Sequence, residues 1–167
     1  MKIDFESLKQ VPNDPDSTCF ACGKKNPLGF QLVFFTDEKE IFSKHFIRSE
    51  FSGWSHLAHG GILATLLDET MAWTGIYLLK KYILTKSMSI SYLKPVSAGS
   101  EIVLRGFIEQ EISKREIAVV AEIYNVTGEL CATGKGNLVL FSQESFHRLK
   151  LTSPEFLENF ERHVFLD

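Results

Sequence analysis

Several things are scarce in this chain of 167 residues, and each scarcity removes a class of function. Lys and Arg number 18 against 21 Asp and Glu, no basic stripe stands out, and the sequence pI is about 6.0. That balance argues against a general binder of phosphate backbones, so no nucleic-acid partner is expected. No apolar segment runs uninterrupted for the length of a membrane span, and the opening MKIDFESLKQ has no signal-peptide core; the expectation is a cytoplasmic protein without a membrane partner. The three cysteines cannot all pair within one chain, and nothing indicates secretion, so they read as reduced thiols. Internal repeats and low-complexity linkers are also missing. At 44% hydrophobic content and a net charge of -3, the chain reads as one soluble domain with an ample core.

What is present is concentrated in one stretch. His59-Gly60-Gly61 is followed by an apolar run in which Asp68 is the first charge. Two adjacent glycines opening a helix leave backbone N–H groups approachable, and the helix N-terminus carries partial positive charge. An oxygen on which negative charge develops is stabilised there. A carboxylate further along the same helix supplies a base or nucleophile. Together they are what acyl transfer to water requires.

From Gly60 to about Lys81 there is no proline, and polar residues are isolated among Leu, Ile, Met and Trp, the pattern of a helix buried on most sides. Gly61, Ala64, Asp68, Ala72 and Gly75 fall three or four apart and so share one face. Such a small-residue face predicts close approach by another backbone, a second copy of the helix or a ligand, with Asp68 in the middle. The plainer reading of Asp68, a structural hydrogen bond or ion pair, is outweighed by the glycine pair and the stripe. Glu69 is the adjacent rival carboxylate, but it points about 100° away and leaves that face.

The remainder is strand-like. Gln31 to Thr36 and Ile41 to Ile47 predict a hairpin around Asp37-Glu38-Lys39; Thr85 to Leu93, Glu101 to Glu111, Arg115 to Tyr124 and Leu130 to Phe141 follow the helix. Separators containing Pro95, Gly99, Ser113-Lys114 and Thr127-Gly128 supply turn chemistry, and their shortness predicts antiparallel neighbours. The economical architecture is α+β, a long helix against an antiparallel sheet. A C-terminal helix is signalled by Thr152 or Ser153 as cap, Pro154 in the first turn and Glu155 closing a Thr-x-x-Glu box. The expected division is an N-terminal arm over 1–18, a central domain over 19–142 and a partly helical extension over 143–167.

Taken in order, Cys19-Phe-Ala-Cys22-Gly23, Asn26-Pro27-x-Gly29, Gly53-Trp54, His59-Gly-Gly-x-x-x-x-x-x-Asp68-Glu69 and Tyr92-Leu-Lys-Pro95-Val96 form a pattern. It resembles the hotdog-fold acyl-CoA thioesterases of the phenylacetyl-CoA thioesterase-like family, over about Cys19 to Phe141. The resemblance implies a sheet wrapped around a central helix, an acyl-CoA substrate and no cofactor. It places the carbonyl-polarising N–H at Gly60, the loop-holding histidine at His59, the carboxylate that activates water or attacks directly at Asp68, and a water-placing hydroxyl at Thr85. Gly61, Gly53, Trp54 and Lys94 are the expected substrate-binding positions. Some relatives carry a side-chain amide six residues before the histidine; Gly53 stands there, leaving that role empty or to Ser52, Ser55 or His56.

Gly60 and Asp68 are eight residues apart, roughly 12 Å along a helix. Because donor and base must both reach one thioester, a homodimer, or a dimer of dimers, with sites framed by two protomers fits better than a single chain. The Cys19/Cys22 pair lacks a second pair to complete a tetrahedral zinc site and Cys131 lies on an expected strand, so no metal is expected and the segment reads as a packed turn. His45 reads as structural, and Trp73, Met71 and Phe107 as core. Lys80, Lys81, Lys86 and Lys94 form a rim from which one or two could meet coenzyme A phosphates. The expected activity is acyl-CoA hydrolysis. The alternatives are a non-catalytic acyl-CoA binder and a hydroxyacyl-thioester dehydratase; the latter usually needs a strand histidine in a proline context that His45-Phe46-Ile47 lacks.

Overall fold

The computed structural model describes residues 3–166. After a short 3-10 turn at Phe5–Ser7, the chain runs through strands β1 (Lys9–Gln10), β2 (Phe34–Thr36), β3 (Ile41–Ile47), β4 (Ser52–Trp54) and β5 (Leu57–Ala58) into helix α1 (Gly60–Leu79). Four long strands follow, β6 (Tyr82–Tyr92), β7 (Ser100–Ser113), β8 (Glu116–Asn125) and β9 (Leu130–Phe141), then helices α2 (Gln143–Leu149) and α3 (Pro154–Phe160). Seven strands form one antiparallel sheet in the order β1-β2-β3-β7-β8-β9-β6, and β4 and β5 make a separate hairpin beside the helix entry. The expected α+β architecture, a sheet around a long central helix, is the one observed.

Alternation explains the sheet's inner face. Ile102 and Leu104 on β7, Ile117, Val119, Ala121 and Ile123 on β8, and Ala132 and Leu138 on β9 are all buried at two-residue spacing and meet Leu63, Leu66, Leu67, Met71 and Trp73 of α1. By length and hydropathy α1 would suffice for a membrane span, but half of it is buried against these strands as the core helix. Only one end of the small-residue stripe meets the sheet. The close approach between helix and sheet is made by glycines on the strands: a Cβ at Gly106 would lie 2.3 Å from Thr74 Oγ1 and 2.9 Å from Thr70 Cγ2, and one at Gly136 would lie 3.0 Å from Met71 Sδ. Thr70 and Thr74 can be buried there because their hydroxyls donate to the carbonyls of Leu66 and Thr70, each at 2.7 Å. Any side chain at Gly106 would push α1 off the sheet at a cost on the order of 1–3 kcal/mol. Gly75, at the far end of the stripe, is closely approached by Ile83, Ile117 and Leu138, whereas Gly61 is exposed and Asp68 and Ala72 are half-buried.

Several other boundaries differ from expectation. β2 begins only at Phe34, because Leu32 N–H is drawn off to Ala21 O at 3.0 Å and Gln31 adopts a positive φ of 53°. The helix stops at Leu79, where Lys80 turns left-handed (φ 50°, ψ 47°), and β6 starts three residues before Thr85. Within the expected arm, Lys9 and Gln10 pair with β2, and within the expected extension a separate α2 forms, capped by the Ser142 hydroxyl. Ser153 rather than Thr152 caps α3, with Pro154 in its first turn. The extension closes over the end of α1: Tyr82 stacks on Phe146 (4.2 Å between centroids) and Phe160 (5.6 Å), and Lys80 Nζ donates to Val164 O at 3.0 Å.

Candidate active site

The entry to α1 is built around His59. Its backbone is extended (φ -65°, ψ 135°), its Nδ1 accepts the Gly61 N–H at 2.9 Å, and its own N–H donates to Phe51 O at 2.9 Å. The imidazole thus occupies the capping position more often held by Ser, Asp or Asn. One N–H of the first turn is satisfied in this way, while that of Gly60 meets no acceptor among the described residues. The Gly60 carbonyl accepts the Tyr92 hydroxyl at 2.9 Å, which fixes the peptide plane from the other side. In front lies a pocket of about 330 Å³, lined by Leu57, Gly60, Leu63, Tyr92, Pro95 and Val96, with Lys94 at its wall. A mostly apolar pocket lined by a helix N-terminal glycine whose N–H has no acceptor among the described residues suits a group with an apolar body and a polarised carbonyl.

Gly53 packs directly behind the cap. A Cβ there would sit 3.1 Å from His59 Cδ2 and 3.2 Å from its Cα, so glycine lets the chain pack closely against the cap and no side-chain amide is present at this position. Neighbouring Trp54 is 84% exposed. Lys94 is ion-paired with Glu129, Lys86 with Glu116, and Lys80 is bound to Val164 O; Lys81 faces a different cavity, with Lys114, Arg115 and Arg148.

Two turns along α1, Asp68 Oδ1 accepts the Thr85 hydroxyl at 2.9 Å. Thr85 pairs with Leu138, whose side chain faces the helix, so Thr85 points the same way, and the ladder slips between Thr85 and Ser87 at this point. The structure therefore joins Asp68 with Thr85 and His59 with Gly60 and Gly61, but keeps the two groups at separate places on one helix. Both places lie beside β6, the terminal strand of the sheet. Its outer edge has no partner among the described residues, and Leu84, Met88 and Tyr92 are exposed along it.

Glu69 leaves the site, as its helical position predicts. Its Oε1 accepts Trp73 Nε1–H at 3.0 Å and lies 3.8 Å from Cys19 Sγ. Although the residue is partly exposed, its carboxylate is enclosed by these groups, and loss of solvent pushes its pKa up to about 7, with the Cys19 charge adding to the effect. Cys19 is held down at about 5, chiefly by the hydrogen bond from the Cys22 thiol and also by the backbone N–H groups of Cys22 and Ala21, while the same pairing pushes buried Cys22 up. Glu69 is accordingly not part of the Asp68 site. His45 packs edge-on against Phe30 (5.6 Å), and its Nε2 has no hydrogen-bond partner among the described residues. Burial lowers its pKa and keeps it neutral, and Met71 and Trp73 are core as expected. Sequence reasoning missed the Tyr92–Gly60 contact and the union of Glu69 with the cysteine turn.

Residues 56–132 match the thioesterase superfamily. Among solved structures, the chain is similar to the thioesterase superfamily protein RHA08564 (22% identity, TM-score 0.66), covering 73% of this chain but only 60% of that one. It is also similar to the Escherichia coli PaaI protein from the phenylacetic acid degradation operon (16% identity, TM-score 0.61, 68% and 81% of the two chains). A third likeness is to Streptococcus mutans smu.793 bound to acetyl-CoA (19% identity, TM-score 0.62, 66% and 89%). Comparison with curated proteins finds no match. The likenesses establish the hotdog fold and bear out the resemblance to hotdog thioesterases.

Proposed function

We propose, for a chain with the thioesterase-superfamily hotdog fold, that it hydrolyses acyl-CoA thioesters to the free acid and coenzyme A. The observation that carries this reading is a Gly60 N–H without an acceptor among the described residues, on a glycine that lines a mostly apolar pocket and belongs to the same helix as a carboxylate already held by a hydroxyl. The thioester carbonyl oxygen accepts from Gly60 N–H, where the helix dipole favours the charge it gains during attack. Thr85 engages Oδ1 of Asp68 and leaves Oδ2 to accept a proton from water. As that water adds to the carbonyl carbon, its proton passes to Asp68. The tetrahedral intermediate then collapses to the carboxylic acid and expels the thiolate, which takes the proton from Asp68 and restores its carboxylate. Tyr92 and His59 hold the Gly60–Gly61 peptide next to the donor, Tyr92 donating to its carbonyl and His59 Nδ1 accepting its N–H, and Tyr92 also lines the pocket.

The roughly 12 Å between Gly60 and Asp68 along the helix is spanned by pairing two chains, so that Gly60 of one and Asp68 of the other frame each site. The open edge of β6, with its exposed Leu84, Met88 and Tyr92, supports such a dimer. The second reading, a non-catalytic acyl-CoA binder, is favoured by one observation, a glycine packed closely on His59 at Gly53, where no side-chain amide is available to assist the reaction.

Free-thiol release from a panel of short, long and aromatic acyl-CoA esters tests the proposal. The expected result is turnover of at least one ester, with equimolar free acid. Tight binding without release would instead support the binder, and hydration or dehydration of hydroxyacyl or enoyl esters without thiol release would support the dehydratase.

A further inference from the structure

Cys19, Cys22 and Glu69 form a cluster that the hydrolytic reading leaves unused. The three donor atoms, two thiol sulfurs and a carboxylate oxygen, all lie within 4.8 Å of one another. Counted along the sequence, the cysteines lack a partner; the third donor arrives from 50 residues away, on the rigid core helix. The turn that presents the sulfurs is tightly made. Gly23 N–H donates to Cys19 O at 3.0 Å, and a Cβ at Gly23 would lie 2.4 Å from Cys19 N, so only glycine closes it. Asn13 Nδ2 holds the Cys22 carbonyl at 3.1 Å, Ala21 and Cys22 are buried, and backbone N–H groups of Ala21 and Cys22 face the Cys19 sulfur. Such N–H donors stabilise a thiolate, the form in which cysteine binds metal.

The geometry points to a cation site: Cys19 Sγ, Cys22 Sγ and a Glu69 carboxylate oxygen hold one thiophilic divalent ion, zinc by ligand type, with the fourth position open to water on the exposed Cys19 side. Tetrahedral zinc with bonds of about 2.0–2.3 Å needs ligand atoms roughly 3.3–3.8 Å apart, a small contraction from the spacing observed. Binding releases the remaining thiol and carboxyl protons to solvent and places the doubly charged ion among three anionic ligands. Trp73 Nε1–H, already on Glu69 Oε1, remains to orient the carboxylate from behind. The ion would clasp the irregular segment between β1 and β2 to α1 at the residue next to Asp68. This assignment replaces the expectation of no metal, which rested on the ligand count along the sequence.

The test uses the full-length protein, purified under reducing conditions with its thiols titrated, then mixed with zinc or cobalt(II). Expected are one zinc per chain by elemental analysis after desalting, thiolate-to-cobalt charge-transfer absorption in the near ultraviolet with visible bands of four-coordinate cobalt, and a higher melting temperature with zinc. Cys131→Ser should retain all three. Cys19→Ser, at an exposed position chosen because it should not impair folding, should lose the charge-transfer band and the thermal shift, and Glu69→Gln should weaken zinc binding at least tenfold. Fully reduced protein that takes up no metal would overturn the assignment, whether or not its cysteines form a disulfide on oxidation. Equal uptake by wild type and Cys19→Ser, or undiminished affinity in Glu69→Gln, would overturn it too.

Discussion

Asp68→Asn should lower acyl-CoA hydrolysis by about a hundredfold or more while the protein folds as before. The amide keeps the size of the carboxylate, and its oxygen can still accept the 2.9 Å hydrogen bond from the Thr85 hydroxyl. The second position changes from an acceptor for the water proton to an N–H donor, and the proton then has nowhere to go. Asp68 is only half-buried, so stability should barely move. Glu69→Gln serves as the comparison, because its carboxylate is engaged by Trp73 and the cysteine turn rather than by Thr85. Near wild-type turnover in Asp68→Asn, measured as thiol release with folding checked by circular dichroism, would assign the base elsewhere.

The second large effect is expected at Gly60. Proline is tolerated at the first position of a helix, where its missing N–H has no intrahelical role, and His59 already has the extended backbone that a following proline demands. Gly60→Pro therefore deletes the proposed carbonyl donor with little cost to the helix, and turnover should fall by about 10²–10³-fold, the range for losing one oxyanion donor. Gly60→Ala keeps the N–H, and its Cβ would meet Tyr92 at 3.5 Å, an ordinary contact, so it should retain much of the activity. Equal loss in both variants would mean that crowding rather than the N–H governs this position.

The contrast between these residues shows what a sequence exposes. β3 and β9 were legible to the residue because their boundaries coincide with polar turns, and the helix entry was legible because His59-Gly60-Gly61 is a local signal. The helix exit was not, since Lys80 in a left-handed conformation carries no glycine to announce it. The stripe on α1 was visible, but the tightest contacts between helix and sheet were not: close packing depends as much on the facing surface, and Gly106 and Gly136 acquire meaning only once the strands lie under Thr74 and Met71. Asp68 and Thr85 could be paired through a family resemblance, whereas the approach of Tyr92 to Gly60, and of Cys19 and Cys22 to Glu69, joins segments that no local pattern connects. Helical periodicity did predict that Glu69 leaves the Asp68 face, but not what it would meet there.

Subunit mixing tests the central claim, a hydrolytic site framed by Gly60 of one chain and Asp68 of another, most directly. Asp68→Asn and Gly60→Pro proteins, each nearly inactive alone, are combined in equal amounts under conditions of demonstrated subunit exchange. In a random mixture half the dimers are mixed, and each mixed dimer holds one site with both groups intact. Activity should therefore recover to about a quarter of the wild-type value per chain. Activity that stays at the level of the separate variants, with mixed dimers verified by mass, would contradict a site shared between two chains.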